Sequence, residues 1–266
     1  MNSPDNKGHK DHLILLTNDD GFFAEGIEIL FNRLDDLGQI FIVAPDQEKS
    51  ATSLSLTLHH PLRIKTIMDN VFAVSGTPAD CIYLALQKIL PRKPDLIFSG
   101  INHGPNLGQQ DISYSGTVAG AIQGTFLQVP SVAVSLMPDK KGKFAFEFAA
   151  GFVHKLARHL LEKRLPQGIT LNINIPPLPI KGIKLAKLGQ KRYNPEIVVK
   201  KDPRNRTYYW IGTGRPKEVG EKNSDVFIFK EGYLTITPLH TDQTDYTTIK
   251  SSQLKSLLSW IENENI

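Results

Sequence analysis

Short apolar runs alternate with helix-spaced apolar residues through the first half of this chain, and nothing else in the sequence restricts its fold as tightly. Residues 12–17 are apolar almost throughout, the pattern of a strand covered on both faces. Ile27, Leu30, Phe31 and Leu34 then recur at helical spacing, so 26–37 reads as a helix, with Gly38 ending it as a left-handed cap would. Residues 40–44 form a second buried run, stopped by Pro45. Further strands are expected at 71–74, 95–98, 130–136 and 169–175. Helices are expected at 78–90, 118–126 and 144–161, the first with Thr77 as N-cap and Pro78 at the opening position. Leu54, Leu56 and Leu58, followed loosely by Leu62, Ile64 and Ile67, suggest a strand pair. Strand and helix in this rhythm imply parallel pairing with right-handed crossovers, hence an α/β, doubly wound, mostly parallel sheet. In such sheets ligands sit at the carboxyl ends of the strands.

Beyond about residue 178 the rhythm changes. Residues 206–212, 226–229 and 233–236 read as strands and 253–261 as a closing helix. The cations of 181–192 are spaced among Ile183, Leu185 and Leu188, as on the wet side of a strand. The expected division is a disordered lead-in over 1–11, an α/β catalytic core over 12–178, and a β-rich and helical C-terminal extension over 179–266 suited to oligomerisation. At 266 residues the core can be sizeable without cross-links, and a single cysteine, Cys81, leaves no internal disulfide and favours a reducing compartment. Cytoplasmic is the expected location: the N-terminus lacks the apolar stretch of a secretory signal, and no run approaches the ~20 apolar residues that cross a bilayer. A net charge of +4 with no basic block argues against a stable nucleic-acid partner.

Unusual chemistry collects in four places, three of them directly after expected strands. Thr17-Asn18-Asp19-Asp20-Gly21 puts two adjacent carboxylates at a strand end, where keeping both ionised calls for a cation; a plain surface turn is the competing explanation. Ser99-Gly100-Ile101-Asn102 runs into a glycine-rich loop through Asn106 to Gly108, and Asn102 offers a hard amide oxygen suited to magnesium or manganese. Tyr114-Ser115-Gly116-Thr117 enters a helix, where hydroxyls and free N–H groups make a phosphate seat. In the loop after the second strand, Ser50 could reach a metal or phosphate, but spacing alone does not choose it over Ser53 or Ser55. Eight histidines show no metal-ligand spacing, Cys81 reads as inert core packing, and neither a serine-hydrolase elbow nor a P-loop is present.

These motifs occur in a recognisable series. Leu15-Leu16-Thr17-Asn18-Asp19-Asp20-Gly21, Val43-Ala44-Pro45-Asp46 with Ser50, Ser55-Leu56-Thr57-Leu58, Ser75-Gly76-Thr77-Pro78-Ala79-Asp80-Cys81, Ser99-Gly100-Ile101-Asn102 and Tyr114-Ser115-Gly116-Thr117 run in order through 13–135. The series resembles the SurE family of stationary-phase survival proteins, whose members are metal-dependent 5′/3′-nucleotidases. The resemblance implies a Rossmann-like core and one divalent cation per subunit, Mg2+ or Mn2+, held by Asp19, Asp20, Ser50 and Asn102. It also implies an extension exchanged within a homodimer or homotetramer. Two departures stand out: Ser50-Ala51 where the family has Ser-Gly, and Gln109-Gln110 followed by Asp111 where it has an acidic pair.

The expected activity is hydrolysis of nucleoside monophosphates to nucleoside and phosphate, with 3′-nucleotides and polyphosphate as further candidate substrates. Asp19 and Asp20 are the candidate catalytic residues, and Asn106, Ser115, Gly116 and Thr117 the candidate substrate and phosphate contacts. No residue stands out as general acid. A non-catalytic nucleotide or phosphate sensor is the alternative. A receiver-type phosphoacceptor would need a carboxylate at the end of the third strand, where this chain has Ser99-Gly100-Ile101-Asn102.

Overall fold

The computed structural model describes residues 12–194, 196–212, 214, 216–219 and 221–263. The lead-in expected over 1–11 lies outside them. In chain order the elements begin with β1 (Leu13–Thr17), α1 (Glu25–Arg33), β2 (Gln39–Pro45), β3 (Ile64–Met68), β4 (Val71–Val74) and α2 (Pro78–Leu84). Next come β5 (Leu96–His103), α3 (Gly108–Tyr114), α4 (Gly116–Phe126), β6 (Ser131–Leu136), α5 (Phe146–Glu162) and β7 (Ile169–Ile175). The chain closes with β8 (Ile183–Leu185), β9 (Gln190–Arg192), β10 (Ile197–Lys201), β11 (Thr207–Ile211), β12 (Lys217–Val219), α6 (Asp225–Lys230), β13 (Leu234–His240) and α7 (Ser252–Asn263).

Nine strands form the main sheet in the order β3-β4-β2-β1-β5-β6-β7-β13-β8. From β4 to β7 every neighbouring pair is parallel, while β3 and β13 add on antiparallel at either side. Helices cover both faces, and β1 shows the consequence. Ile14 and Leu16 pack with Ile27 and Leu30 of α1 and with α5, whereas Leu13 and Leu15 pack with Cys81 and Ile82 of α2. A strand buried from both sides has no wet face, so its sequence does not alternate. Cys81 is core, as expected, and burial pushes its thiol pKa up.

Thr77 caps α2 in a reciprocal box with Asp80, as its position before Pro78 predicts, and a π-helical turn over Ala85–Ile89 extends the helix. Elsewhere the structure corrects the sequence reading. Helix α1 stops at Arg33, a 3-10 turn over Asp35–Leu37 carries the helical run up to Gly38, and Gly38 is not a left-handed cap. Its φ of 155° and ψ of −156° lie in a region nearly reserved for glycine, and a Cβ there would strike the His12 carbonyl. Leu54 to Leu58 form no strand: Asp80 accepts from both the N–H and the hydroxyl of Thr57, and Thr77 donates to the Ser55 carbonyl, so side chains take the place of a partner strand. The glycine-rich loop after β5 contains a helix, α3. Residues 226–229 are helical rather than extended, because Ser224 and Asp225 open a short helix whose Val226 and Phe229 pack together on Leu107.

The chain beyond 178 contributes β8 and β13 to the main sheet. It also forms a separate β10–β11 hairpin whose ten residues are all exposed. Among the described residues, no helix is long and apolar enough to cross a membrane.

Candidate functional site

The strand order reverses at β1. The chain builds outward from β1 through β2 to β4, then returns to place β5, β6 and β7 on the other side. The crevice at the carboxyl ends of β1 and β5 is the expected ligand position in such a sheet. Asp19 and Asp20 follow β1 there, and Asn102 lies near the end of β5. These residues line one cleft of about 930 Å³ together with Ser50, Asn106, Ser115 and residues of the C-terminal half. That volume falls within the range of small-molecule sites.

The Asp19–Asp20 turn is held locally. The Asn18 side chain accepts from the Gly21 N–H at 3.2 Å and donates to the Gly21 carbonyl at 2.7 Å. Asp19 is 5% exposed, and its carboxylate accepts from the Thr117 hydroxyl at 2.5 Å. Burial raises its pKa to about 6, opposed in part by the Thr117 hydrogen bond and reinforced by the neighbouring Asp20. Asp20 faces His103, whose Nδ1 lies 3.2 Å from Oδ1 and whose backbone N–H donates at 3.3 Å to Oδ2. The hydrogen bond to Asp20 holds the His103 imidazole pKa above its ordinary value, against burial, while the ring packs on Phe144 and Phe146.

Asn102 reaches the cleft through an irregularity. Between Ser99 and Asn102 the β5–β6 register gains one residue, and such bulges re-aim side chains beside functional sites. Its Nδ2 donates to the Gly104 carbonyl at 2.7 Å, which fixes the amide plane and leaves Oδ1 for a ligand. Ser50 arrives on the loop after β2, fastened over the turn by the Lys49 N–H donating to the Asp19 carbonyl at 2.7 Å. Its hydroxyl donates to Glu48 at 2.7 Å, so its lone pairs remain available. Neighbouring Ala51 has φ 57°, the left-handed conformation in which glycine is unstrained and alanine is not. Two carboxylates, an amide oxygen and a hydroxyl make an all-oxygen donor set, which fits a hard divalent ion. Among the described residues no trio of His, Cys, Asp and Glu offers a softer site.

Of the four expected phosphate contacts, Ser115 and Asn106 line the cleft and Gly116 and Thr117 do not. Ser115 caps α4, accepting from the Val118 N–H at 3.1 Å, and Thr117 gives its hydroxyl to Asp19, so α4 offers an anion mainly its opening N–H groups. The helix reaches Asp19 because Gly116, Gly120 and Gly124 face the sheet: a Cβ on Gly116 would lie 2.7 Å from the Asp19 Cβ. The Asn106 backbone is clamped by β7, its N–H donating to Asn174 Oδ1 at 2.7 Å and its carbonyl accepting from Asn172 and Asn174 at 2.9 and 3.0 Å. Asn172 and Asn174 escaped the sequence reading; the signal was two amides in a strand that should be buried. His103 escaped because its partner, Asp20, is 83 residues away. Asp225 also escaped: it accepts from the N–H groups of Gly108, Gly189 and Val226, tying α3 to the C-terminal half.

The family model for the survival protein SurE matches residues 14–195. The chain belongs to the SurE family. A protein of Geotalea daltonii named 5′-nucleotidase SurE is 46% identical over 89% of this chain and 96% of its own length. One from Geobacter sulfurreducens with the same name is 44% identical over 90% and 92%. The crystal structure of the SurE protein from Aquifex aeolicus superimposes with a TM-score of 0.78 at 39% identity, covering 92% of this chain and 99% of that one. The Rossmann-like α/β architecture is thus shared with that protein.

Proposed function

We propose that this chain is a divalent-metal-dependent phosphomonoesterase that hydrolyses nucleoside monophosphates to nucleoside and phosphate. The observation that carries this reading is the convergence of Asp19, Asp20, Ser50 and Asn102 in one cleft at the reversal of strand order, beside the start of α4. Relatives that match along most of their length bear the name 5′-nucleotidase. Asp19, Asp20, Ser50 and Asn102 would hold one cation per subunit, Mg2+ or Mn2+. When bound it supplies Lewis-acid polarisation and a water of lowered pKa. The chain's own residues do the positioning. Thr117 fixes one Asp19 oxygen, His103 orients Asp20, and Ser115, Asn106 and the opening N–H groups of α4 receive the phosphate.

We further infer a cytoplasmic homodimer or homotetramer. The lone buried Cys81 suits a reducing compartment, and the exposed apolar β10–β11 hairpin and α7 suit burial against other subunits.

The test is phosphate release from a panel of nucleoside 5′- and 3′-monophosphates and short polyphosphate, after EDTA stripping and readdition of manganese, magnesium, calcium or zinc. Chelator-sensitive release from 5′-monophosphates, restored by manganese or magnesium, is expected. Binding of nucleotides without release under any metal would replace the enzyme with a sensor.

A further inference from the structure

We propose that the ring of Tyr193 is the wall on which the nucleobase of the substrate stacks, making it a specificity-determining residue. This rests on the phosphomonoesterase reading above. The cleft combines two chemistries: Asp19, Asp20, Asn102 and Ser115 are polar, while Tyr114, Tyr193 and Ile211 bring aromatic and apolar surface to the same cavity. A nucleoside monophosphate carries the same two chemistries, a dianion at one end and an aromatic base at the other.

Tyr193 is set for this role by its partners. It follows β9 and donates its hydroxyl to Asp111 Oδ1 at 2.7 Å, and Lys191 pairs with the other Asp111 oxygen at 2.5 Å. The Lys191 and Asp111 side chains are only 11% and 13% exposed, so the phenol is anchored to a largely buried ion pair. The Lys191 charge also neutralises a carboxylate that would otherwise repel an incoming phosphate. With its proton committed to Asp111, Tyr193 offers a ligand its ring. The departure at Gln109-Gln110-Asp111 thus acquires a structural role, since Asp111 is the acid that holds the ring. Gln110, the residue before Asp111, is the one amide from α3 that lines the same cleft. Recognition by stacking therefore predicts preference by ring area, purines over pyrimidines, with little choice between adenine and guanine.

The experiment compares kcat and KM for AMP, CMP and ribose 5-phosphate, which carries the phosphate without a base. The wild-type protein should favour AMP over ribose 5-phosphate through KM. In Tyr193→Ala the ratio of the two kcat/KM values should fall about tenfold, the scale of one lost stacking contact. In Tyr193→Phe, which keeps the ring, it should stay within about threefold of wild type. Adenosine binding to the metal-free protein, followed by saturation-transfer NMR, should weaken in Tyr193→Ala alone. A ratio unchanged in Tyr193→Ala, or lost equally in Tyr193→Phe, overturns the proposal. So does a wild-type protein indifferent to the base. Release of phosphate from none of the three substrates under any metal would instead overturn the phosphomonoesterase reading on which the proposal rests.

Discussion

The Asp19 carboxylate is buried beside a second carboxylate and receives a single side-chain hydrogen bond, from Thr117. Its pKa near 6 ties the stability of the metal-free fold to pH. The folded value lies above the unfolded one, so the metal-free protein is penalised as pH rises from about 4 through 6, and the penalty is complete above that. At 1.36 kcal/mol per unit it approaches about 3 kcal/mol at pH 8. Asp19→Asn keeps an acceptor for Thr117 and does not titrate. Stripped of metal, this variant should melt higher than wild type at pH 8, the advantage shrinking to nothing near pH 4, as scanning calorimetry would read. Turnover should fall by orders of magnitude. Near-normal activity would remove Asp19 from the metal assignment, and a lower melting point at pH 8 would remove the electrostatic argument.

Helix α4 lies against the sheet on Gly116, Gly120 and Gly124, one residue per turn, and a Cβ on Gly124 would collide with the Ser131 hydroxyl. Overpacking of this kind costs about 1–3 kcal/mol. Gly124→Ala should therefore lower the urea midpoint while sparing activity in the folded fraction. Gly116→Ala, pressed on Asp19 itself, should lose activity and weaken metal binding, measured by calorimetric titration of manganese. Equal damage to activity from both variants would contradict the close approach at Asp19. The helix was legible in the sequence as a run of small residues, and so was the acidic turn, because both are local patterns. What stayed hidden depends on distant partners. Thr117 reads as a phosphate contact until Asp19, 98 residues away, claims its hydroxyl. Helix α3 is masked by a glycine-rich sequence, and residues 226–229 have strand-forming side chains that a Ser-Asp start and packing on Leu107 turn into a helix.

At the scale of the whole molecule, the β10–β11 hairpin carries Ile197, Val199, Tyr209, Trp210 and Ile211 more than half exposed, and α7 turns Leu257, Leu258 and Trp260 to the surface. A two-stranded ribbon in water is marginal on its own, and apolar surface of this extent marks an interface. Light scattering coupled to gel filtration should find the protein larger than one chain at micromolar concentration. Trp210→Asp or Leu257→Asp should yield smaller species. A wild-type monomer would overturn the assembly proposed here.

Strand β13 sits between β7 and β8, so a segment arriving late in the chain shields the flank of a sheet laid down much earlier. A chain cut short after about residue 180 therefore keeps β7 paired with β6 on one side but leaves its outer edge open, the kind of surface that recruits stray strands from neighbouring chains. Premature termination in this gene should thus leave sticky, insoluble product instead of a reduced but serviceable enzyme.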